Sequence, residues 1–142
     1  MYLLGFDYGH KNIGVALGQM VTRTASPKTT LHLKDGPPWQ NIQTIVEEYK
    51  PITLVVGLPL GRDGEEQAMT KAARQFARTL EKKFAKQYQL GVVYQDERYT
   101  SQAAEQIYAK AKGKHKSGWD RDSIAAMLIL EAWLDNQTPS QF

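Results

Sequence analysis

Hydrophobic and polar positions along the chain divide it into short strands first and helices later. Tyr2–Asp7 is an apolar run that ends on a carboxylate, and Ile13–Gly18 resumes the run after a turn at Gly9–Asn12. Two β-rich runs so close together predict a hairpin. Thr29–Leu33 predicts a third strand, closed by the breaker Asp35-Gly36-Pro37-Pro38. From Trp39 to Tyr49 the apolar residues Ile42, Ile45, Val46 and Tyr49 fall at helical spacing, and Pro51 ends that helix. Ile52–Val56 lacks polar alternation apart from Thr53, which suits a strand covered on both faces. After the loop Gly57–Gly64, Ala68, Ala72, Phe76, Leu80 and Phe84 recur every four residues and predict a helix over 65–84. Leu90–Tyr94 predicts another strand. Thr100 or Ser101 can cap a helix reaching Lys110, and a last helix is predicted over 123–134.

A hairpin meander followed by β-α-β units implies an α/β fold: a mixed five-stranded sheet flanked by helices. No internal repeat or linker interrupts the pattern, so residues 1–136 are expected to form one domain, with 137–142 as a short tail. The longest unbroken apolar run, Ile124–Leu130, is far below the roughly 20 residues of a membrane span. The N-terminus has no basic start and meets Asp7 at once, unlike a secretory signal. The expectation is a cytoplasmic protein that does not cross a membrane.

Composition narrows the chemistry. The chain has no cysteine, which excludes disulfides, thiolate nucleophiles and cysteine-type zinc sites. His10, His32 and His115 are widely separated and show no ligand spacing. A metal would have to be held mostly by oxygen, which points to Mg²⁺ or Mn²⁺. The net charge is +3, yet Lys110, Lys112, Lys114 and Lys116 lie within seven residues, and the rest of the chain carries a net −1. Such a segment could contact nucleic-acid phosphates or be a solvated connector. Lys71, Arg74 and Arg78 on the second helix offer another basic track.

Three carboxylates could carry a reaction. Asp7 ends one apolar strand, Glu97 follows another, and Asp122 opens the last helix. Each has an ordinary structural reading: a turn aspartate, a solvated strand end and a helix cap. Asp120 could take the capping role in place of Asp122. If all three converge on one sheet edge, a cation must neutralise them. Two such ions about 4 Å apart can activate water and stabilise the leaving oxygen of a phosphodiester. Gly9-His-Lys-Asn-Ile-Gly14 has P-loop glycine spacing, but Val15 and Ala16 stand where Lys and Ser/Thr are required, so a Walker ATPase is excluded. Arg62-Asp63-Gly64 precedes a helix start that could receive a phosphate.

Four blocks, in order and covering nearly the whole chain, resemble the YqgF family: Asp7-Tyr-Gly-His-Lys-Asn-Ile-Gly-Val-Ala16; Val56-Gly-Leu-Pro-Leu60 with Asp63-Gly64; Asp96-Glu-Arg-Tyr-Thr-Ser101; and Asp122-Ser-Ile-Ala-Ala126 with Ile129-Leu130. Members of that family are described as Holliday junction resolvases and as nucleases that process pre-16S rRNA. The resemblance implies a ribonuclease H-like fold and a metal-dependent endonuclease with Asp7, Glu97 and Asp122 as its catalytic, metal-binding carboxylates. It places Lys11, Arg98 and Thr100 near that site as substrate contacts. Asn12 stands where the family usually has Arg, and Gly61 where Asn is common. The implied activity is processing of the 5′ end of pre-16S rRNA, with resolution of branched, four-way DNA as the alternative, and the chain could act as a monomer or a homodimer. Two other classes compete. A non-catalytic nucleic-acid-binding module would be expected to have lost some of the three carboxylates. A sugar-kinase or actin-like ATPase needs two such domains.

The lysine segment makes a measurable prediction. Replacing Lys110, Lys112, Lys114 and Lys116 with alanine should weaken nucleic-acid binding without unfolding the protein. For a duplex, each lost phosphate contact should lower the log–log salt slope by about 0.9. A salt titration of wild type and the quadruple variant checks this, and equal slopes would make the segment a connector only.

Overall fold

In the computed structural model, which describes residues 1–97, 106–107, 109 and 120–137, five strands form one sheet in the order β3-β2-β1-β4-β5. Strands β1 (Tyr2–Tyr8), β2 (Asn12–Gln19) and β3 (Thr24–His32) form an antiparallel meander. β4 (Thr53–Leu58) and β5 (Gly91–Asp96) continue the sheet parallel to β1. Helix α1 (Trp39–Tyr49) leads into β4. Helix α2 (Ala68–Leu80) continues through a π-helical stretch (Glu81–Ala85) and a last turn (Lys86–Tyr88) before β5. Helix α3 (Arg121–Asp135) closes the described fold. Among the described residues, no helix is long and apolar enough to cross a membrane.

The two-residue period of the strands explains the layers. Leu4, Phe6, Ile13, Val15, Leu54 and Val56 point to one face and pack with Ile42 and Val46 of α1 and Phe76 and Leu80 of α2. Leu3, Ala16 and Val55 point to the other face and pack on Ala126, Ile129 and Leu130 of α3. The sheet is thus covered on both sides, as the uninterrupted apolar run in β4 requires.

Several boundaries differ from the sequence reading. β3 starts at Thr24 rather than Thr29 and ends at His32. It is an edge strand whose residues are exposed or half-buried apart from Leu31, so it lacks an apolar pattern, and Pro27 is tolerated beside a register shift at Val15/Ala16. α2 starts three residues later than expected. There the Thr70 hydroxyl accepts from Gln67 N–H at 3.0 Å and donates to the Pro59 carbonyl at 2.6 Å, which ties the helix start to the loop after β4. α3 starts two residues earlier, because Asp120 caps it: Asp120 Oδ1 accepts from Ser123 N–H at 2.9 Å. The expected helix up to Lys110 lies outside the described residues except for 106, 107 and 109, and so do the four lysines and the 138–142 tail.

α3 is held at both ends by the β2–β3 hairpin. Near its start, Thr30 Oγ1 donates to Asp120 Oδ1 at 2.7 Å. At its end, Arg23 Nη2 donates to the carbonyls of Leu134 (2.6 Å) and Gln137 (2.9 Å), bringing a cation to the negative end of the helix dipole. Arg23 has φ 56°, so Arg23→Ala keeps the backbone conformation equally unfavourable and removes only the guanidinium. The substitution should cost about 1 kcal/mol, or a fall of about 3–4 °C in Tm for a domain of this size, as read by thermal denaturation.

Candidate active site

The carboxyl ends of the parallel strands β1, β4 and β5 meet at one edge of the sheet, where ligands commonly bind in such sheets. Asp7, one residue before the end of β1, lies on the face covered by α3 and pairs in register with Gly14 of β2. Glu97 follows β5, and its N–H donates to the Leu58 carbonyl at 3.1 Å. Between them runs Gly57 of β4. A Cβ there would overlap Ile129 and stand 2.8 Å from Glu97 Oε2, so the missing side chain is what lets Glu97 fold in against the sheet.

Glu97 is only 8% exposed, and its Oε2 is, among the described residues, the one buried side-chain oxygen without a hydrogen-bond partner. Burial pushes its carboxyl up to about 9, and the neighbouring Asp7 and Asp96 charges act in the same direction. Burial also raises Asp7, to about 6. A hydrogen bond shared with Glu97 offsets part of that rise, and the charge of Asp122 adds to it. Near neutral pH, Glu97 therefore keeps a proton and shares it with the Asp7 carboxylate.

Asp122 occupies the second position of α3, since Asp120 takes the cap. α3 starts directly over β2, where a Cβ on Gly14 would overlap the Asp122 backbone carbonyl. This places Asp122 on the same face and at the same edge as Asp7. Its carboxyl is raised by burial and by Asp120, and a hydrogen bond from Asn12 and the charges of Arg121 and His32 pull it back. Sequence reasoning expected three carboxylates close enough to hold metal together. The structure pairs Asp7 with Glu97 and puts Asp122 within electrostatic reach. Among the described residues no group of three His, Cys, Asp or Glu side chains is close enough to hold an ion.

Lys11 is exposed in the turn after β1, and its carbonyl accepts from Leu33 N–H at 2.9 Å. Arg98, Thr100, Lys110, Lys112, Lys114 and Lys116 lie outside the described residues. Two neighbours of the site carried no individual signal in the sequence. His32 looked like an isolated histidine, and Thr30 like an ordinary strand residue. Asn12 was visible only as a departure from a motif.

The profile of the family described as "RuvX: Holliday junction resolvase" matches residues 1–136. The chain belongs to the RuvX family. RuvX relatives from Hydrogenovibrio crunogenus and Haemophilus ducreyi, each named "Putative pre-16S rRNA nuclease", are 46% and 44% identical over 134 and 136 residues. The match covers 94% of this chain in both cases and 92% and 96% of the relatives. Two solved structures share the architecture. Thermus thermophilus RuvC in complex with Holliday junction substrate has a TM-score of 0.57 at 14% identity, over 94% of this chain and 93% of that one. The Fowlpox virus resolvase in complex with Holliday junction DNA has a TM-score of 0.61 at 11% identity, over 95% and 97%. The fold of this RuvX chain is therefore the ribonuclease H-like fold of RuvC-type resolvases, and its activity is phosphodiester hydrolysis.

The raised carboxyls make stability depend on pH. Below the ordinary glutamate value of 4.5, Glu97 is protonated in the folded and unfolded chain alike. Between 4.5 and about 9 the unfolded chain has lost that proton while the folded chain retains it, so folding stability falls steadily as pH rises and the loss is complete above about 9. Asp7 adds a smaller loss between 3.8 and about 6. In chelator, Glu97→Gln should thus melt at a higher temperature than wild type at pH 8 and near the wild-type temperature at pH 4. A difference that is the same at both pH values would contradict the burial of an ionisable Glu97.

Proposed function

We propose that this RuvX chain is a divalent-cation-dependent endonuclease of structured nucleic acid, with Asp7, Glu97 and Asp122 as its catalytic carboxylates. The observation that carries this reading is the Asp7–Glu97 pair, desolvated at the strand ends with one buried oxygen unpartnered. Such a pair is costly to an apo fold and is what a hard cation satisfies. Strongly raised carboxyls at a sheet edge are also typical of functional sites.

Asp7 and Glu97 would hold Mg²⁺ or Mn²⁺, with Asp122 beside them, and two ions suit the reaction. Bound there, the cation supplies charge neutralisation and a water acidic enough to attack phosphorus. The chain's own groups do the rest. Asp7 and Glu97 give up their shared proton and become acceptors. Asp122 sits near the start of α3, where the helix dipole favours negative charge. Lys11, with Arg98 and Thr100 after β5 and the lysines at 110, 112, 114 and 116, would hold substrate phosphates.

Two substrates are supported. The names of the relatives favour a precursor of 16S rRNA, and cleavage near its 5′ end is part of our proposal. The family description and the junction-bound resolvases favour four-way DNA, which two copies of the chain would have to cut symmetrically. Cleavage of a pre-16S fragment and a four-way junction, side by side with Mg²⁺, Mn²⁺ or chelator, separates them. Asp7→Asn should keep the fold and lower cleavage at least about a thousandfold. Activity that survives both this substitution and chelator would refute the metal-nuclease reading.

A further inference from the structure

We infer that the groove between the start of α1 and the π-helical stretch holds one unpaired base of the substrate, stacked on Trp39 with its phosphate on Lys83. This rests on the reading of the substrate as nucleic acid and adds that the substrate has an unpaired stretch beside the cleavage site.

The groove has a volume of about 460 Å³ and is lined by Trp39, Gln40 and Gln43 of α1 and by Lys83, Phe84 and Gln87. That volume lies within the range of small-ligand sites, about 300–1,000 Å³. Trp39 is half-buried and fixed from within. Its ring stacks with Phe76 at 5.5 Å and 22°, and Phe84 stands 6.4 Å away. A large ring held rigid at the surface is a platform for a flat partner. Lys83 Nζ now lies over that ring, 5.2 Å from its centroid. The π-helical turn produces this arrangement, since it sends Phe84 into the core and its neighbour Lys83 out to the groove. Such turns inside α-helices are frequent at functional sites.

The surroundings select the partner. Lys82, Lys83 and Lys86 make no ion pair among the described residues, so this stretch offers uncompensated positive charge to an anion. A cation–π contact at an exposed site is weak, so an incoming base can replace the Lys83 ammonium, which then turns to the phosphate. Gln40 and Gln87 are exposed, and their amides both donate and accept, which suits the polar edge of any base. Gln43 is drawn toward Glu47 at 3.2 Å, so a carboxylate bounds the groove farther along α1 and keeps the phosphates on the Lys83 side. A base inside a duplex is stacked on both faces and cannot enter, so the groove takes an unpaired one.

The aromatic stack ties the groove to the catalytic edge. Phe76 also stacks with Tyr8, at 4.8 Å and 28°, and Tyr8 follows Asp7 directly. Successive strand residues point to opposite faces, so Asp7 faces α3 while Tyr8 packs with the core under α1 and α2. A strand crossing the end of β1 from the carboxylates passes exposed Lys11 and Lys34 on its way to Trp39.

The test is fluorescence anisotropy in chelator with a labelled oligouridylate 12-mer, the same strand carrying abasic sites, and a fully paired duplex. Wild type should bind the 12-mer more tightly than the abasic strand. Trp39→Ala should bind the 12-mer about tenfold more weakly and the abasic strand as wild type does, whereas Trp39→Phe keeps most of the affinity. Lys83→Ala should lower the log–log salt slope for the 12-mer by about 0.7. In the wild-type chain, a 12-mer containing 5-bromouridine should cross-link to Trp39 under ultraviolet light, as mapped by mass spectrometry, which needs no substitution in the core. Cross-links confined to other residues, or a Trp39→Ala loss that is equal on the 12-mer and the abasic strand, would overturn the inference. So would an unchanged affinity in Trp39→Ala. A chain that cleaves structured nucleic acid with Mg²⁺ and gives one of those results keeps the nuclease reading and loses only this one. A chain that neither binds nor cleaves nucleic acid loses both.

Discussion

Helix α3 lies so close to the sheet that four strand positions beneath it, Gly5, Gly14, Gly18 and Gly57, have no room for a side chain. A Cβ on Gly14 would overlap the Asp122 carbonyl, one on Gly57 would overlap Ile129, and those on Gly5 and Gly18 would stand 3.0 Å from the Ala126 carbonyl oxygen and 2.7 Å from a Leu130 methyl. This close approach sets the rest of the arrangement. It seats the apolar side of α3 on Leu3, Ala16 and Val55, and it places the helix start, with Asp120 and Asp122, at the edge where β1 and β5 deliver Asp7 and Glu97. Substituting any larger residue at Gly14 would lift the helix start and move Asp122 away from Asp7 in the same step, so packing and site geometry are coupled at one position.

The same closeness creates the electrostatics. Gly57 leaves room for Glu97 against the sheet, and the packed helix shields it from water. Burial raises both carboxyls, Asp7 raises Glu97 further, and the pair holds a proton at neutral pH. That is unfavourable for the fold alone, and the hairpin offsets it elsewhere: Arg23 holds one end of α3 while Thr30 holds the cap at the other. Stability is thus concentrated on anchoring the helix that the site needs, while the site itself is left unsatisfied, a common division between scaffold and active site.

What the sequence disclosed follows from where each signal originates. β1, β2 and β4 were readable as apolar runs because the sheet is covered on both faces, and α1 and α2 because their buried faces impose a helical apolar spacing. β3 was readable only at its end. As an edge strand containing Pro27, with Leu31 its one buried residue, it is ordered more by pairing to β2 than by burial. The π-helical stretch at Glu81–Ala85 preserves the apolar spacing of Phe84 and so left no trace in the pattern. Asp7 was conspicuous as a carboxylate ending an apolar run. The burial of Glu97 was not, because it depends on Gly57 from another strand. The Thr30–Asp120 and Asn12–His32 contacts were invisible for a similar reason: they arise from the register of β2 and β3 and the seating of α3, which no local pattern encodes.

The central claim is that the desolvated Asp7–Glu97 pair is a cation site. The most direct measurement is anomalous diffraction at the manganese edge from crystals of the wild-type chain equilibrated with saturating Mn²⁺. The account predicts an anomalous peak at the carboxylates of Asp7 and Glu97, lost in crystals of Asp7→Asn. A peak elsewhere on the molecule, or none at that pair while the crystals are saturated with the ion, would contradict it.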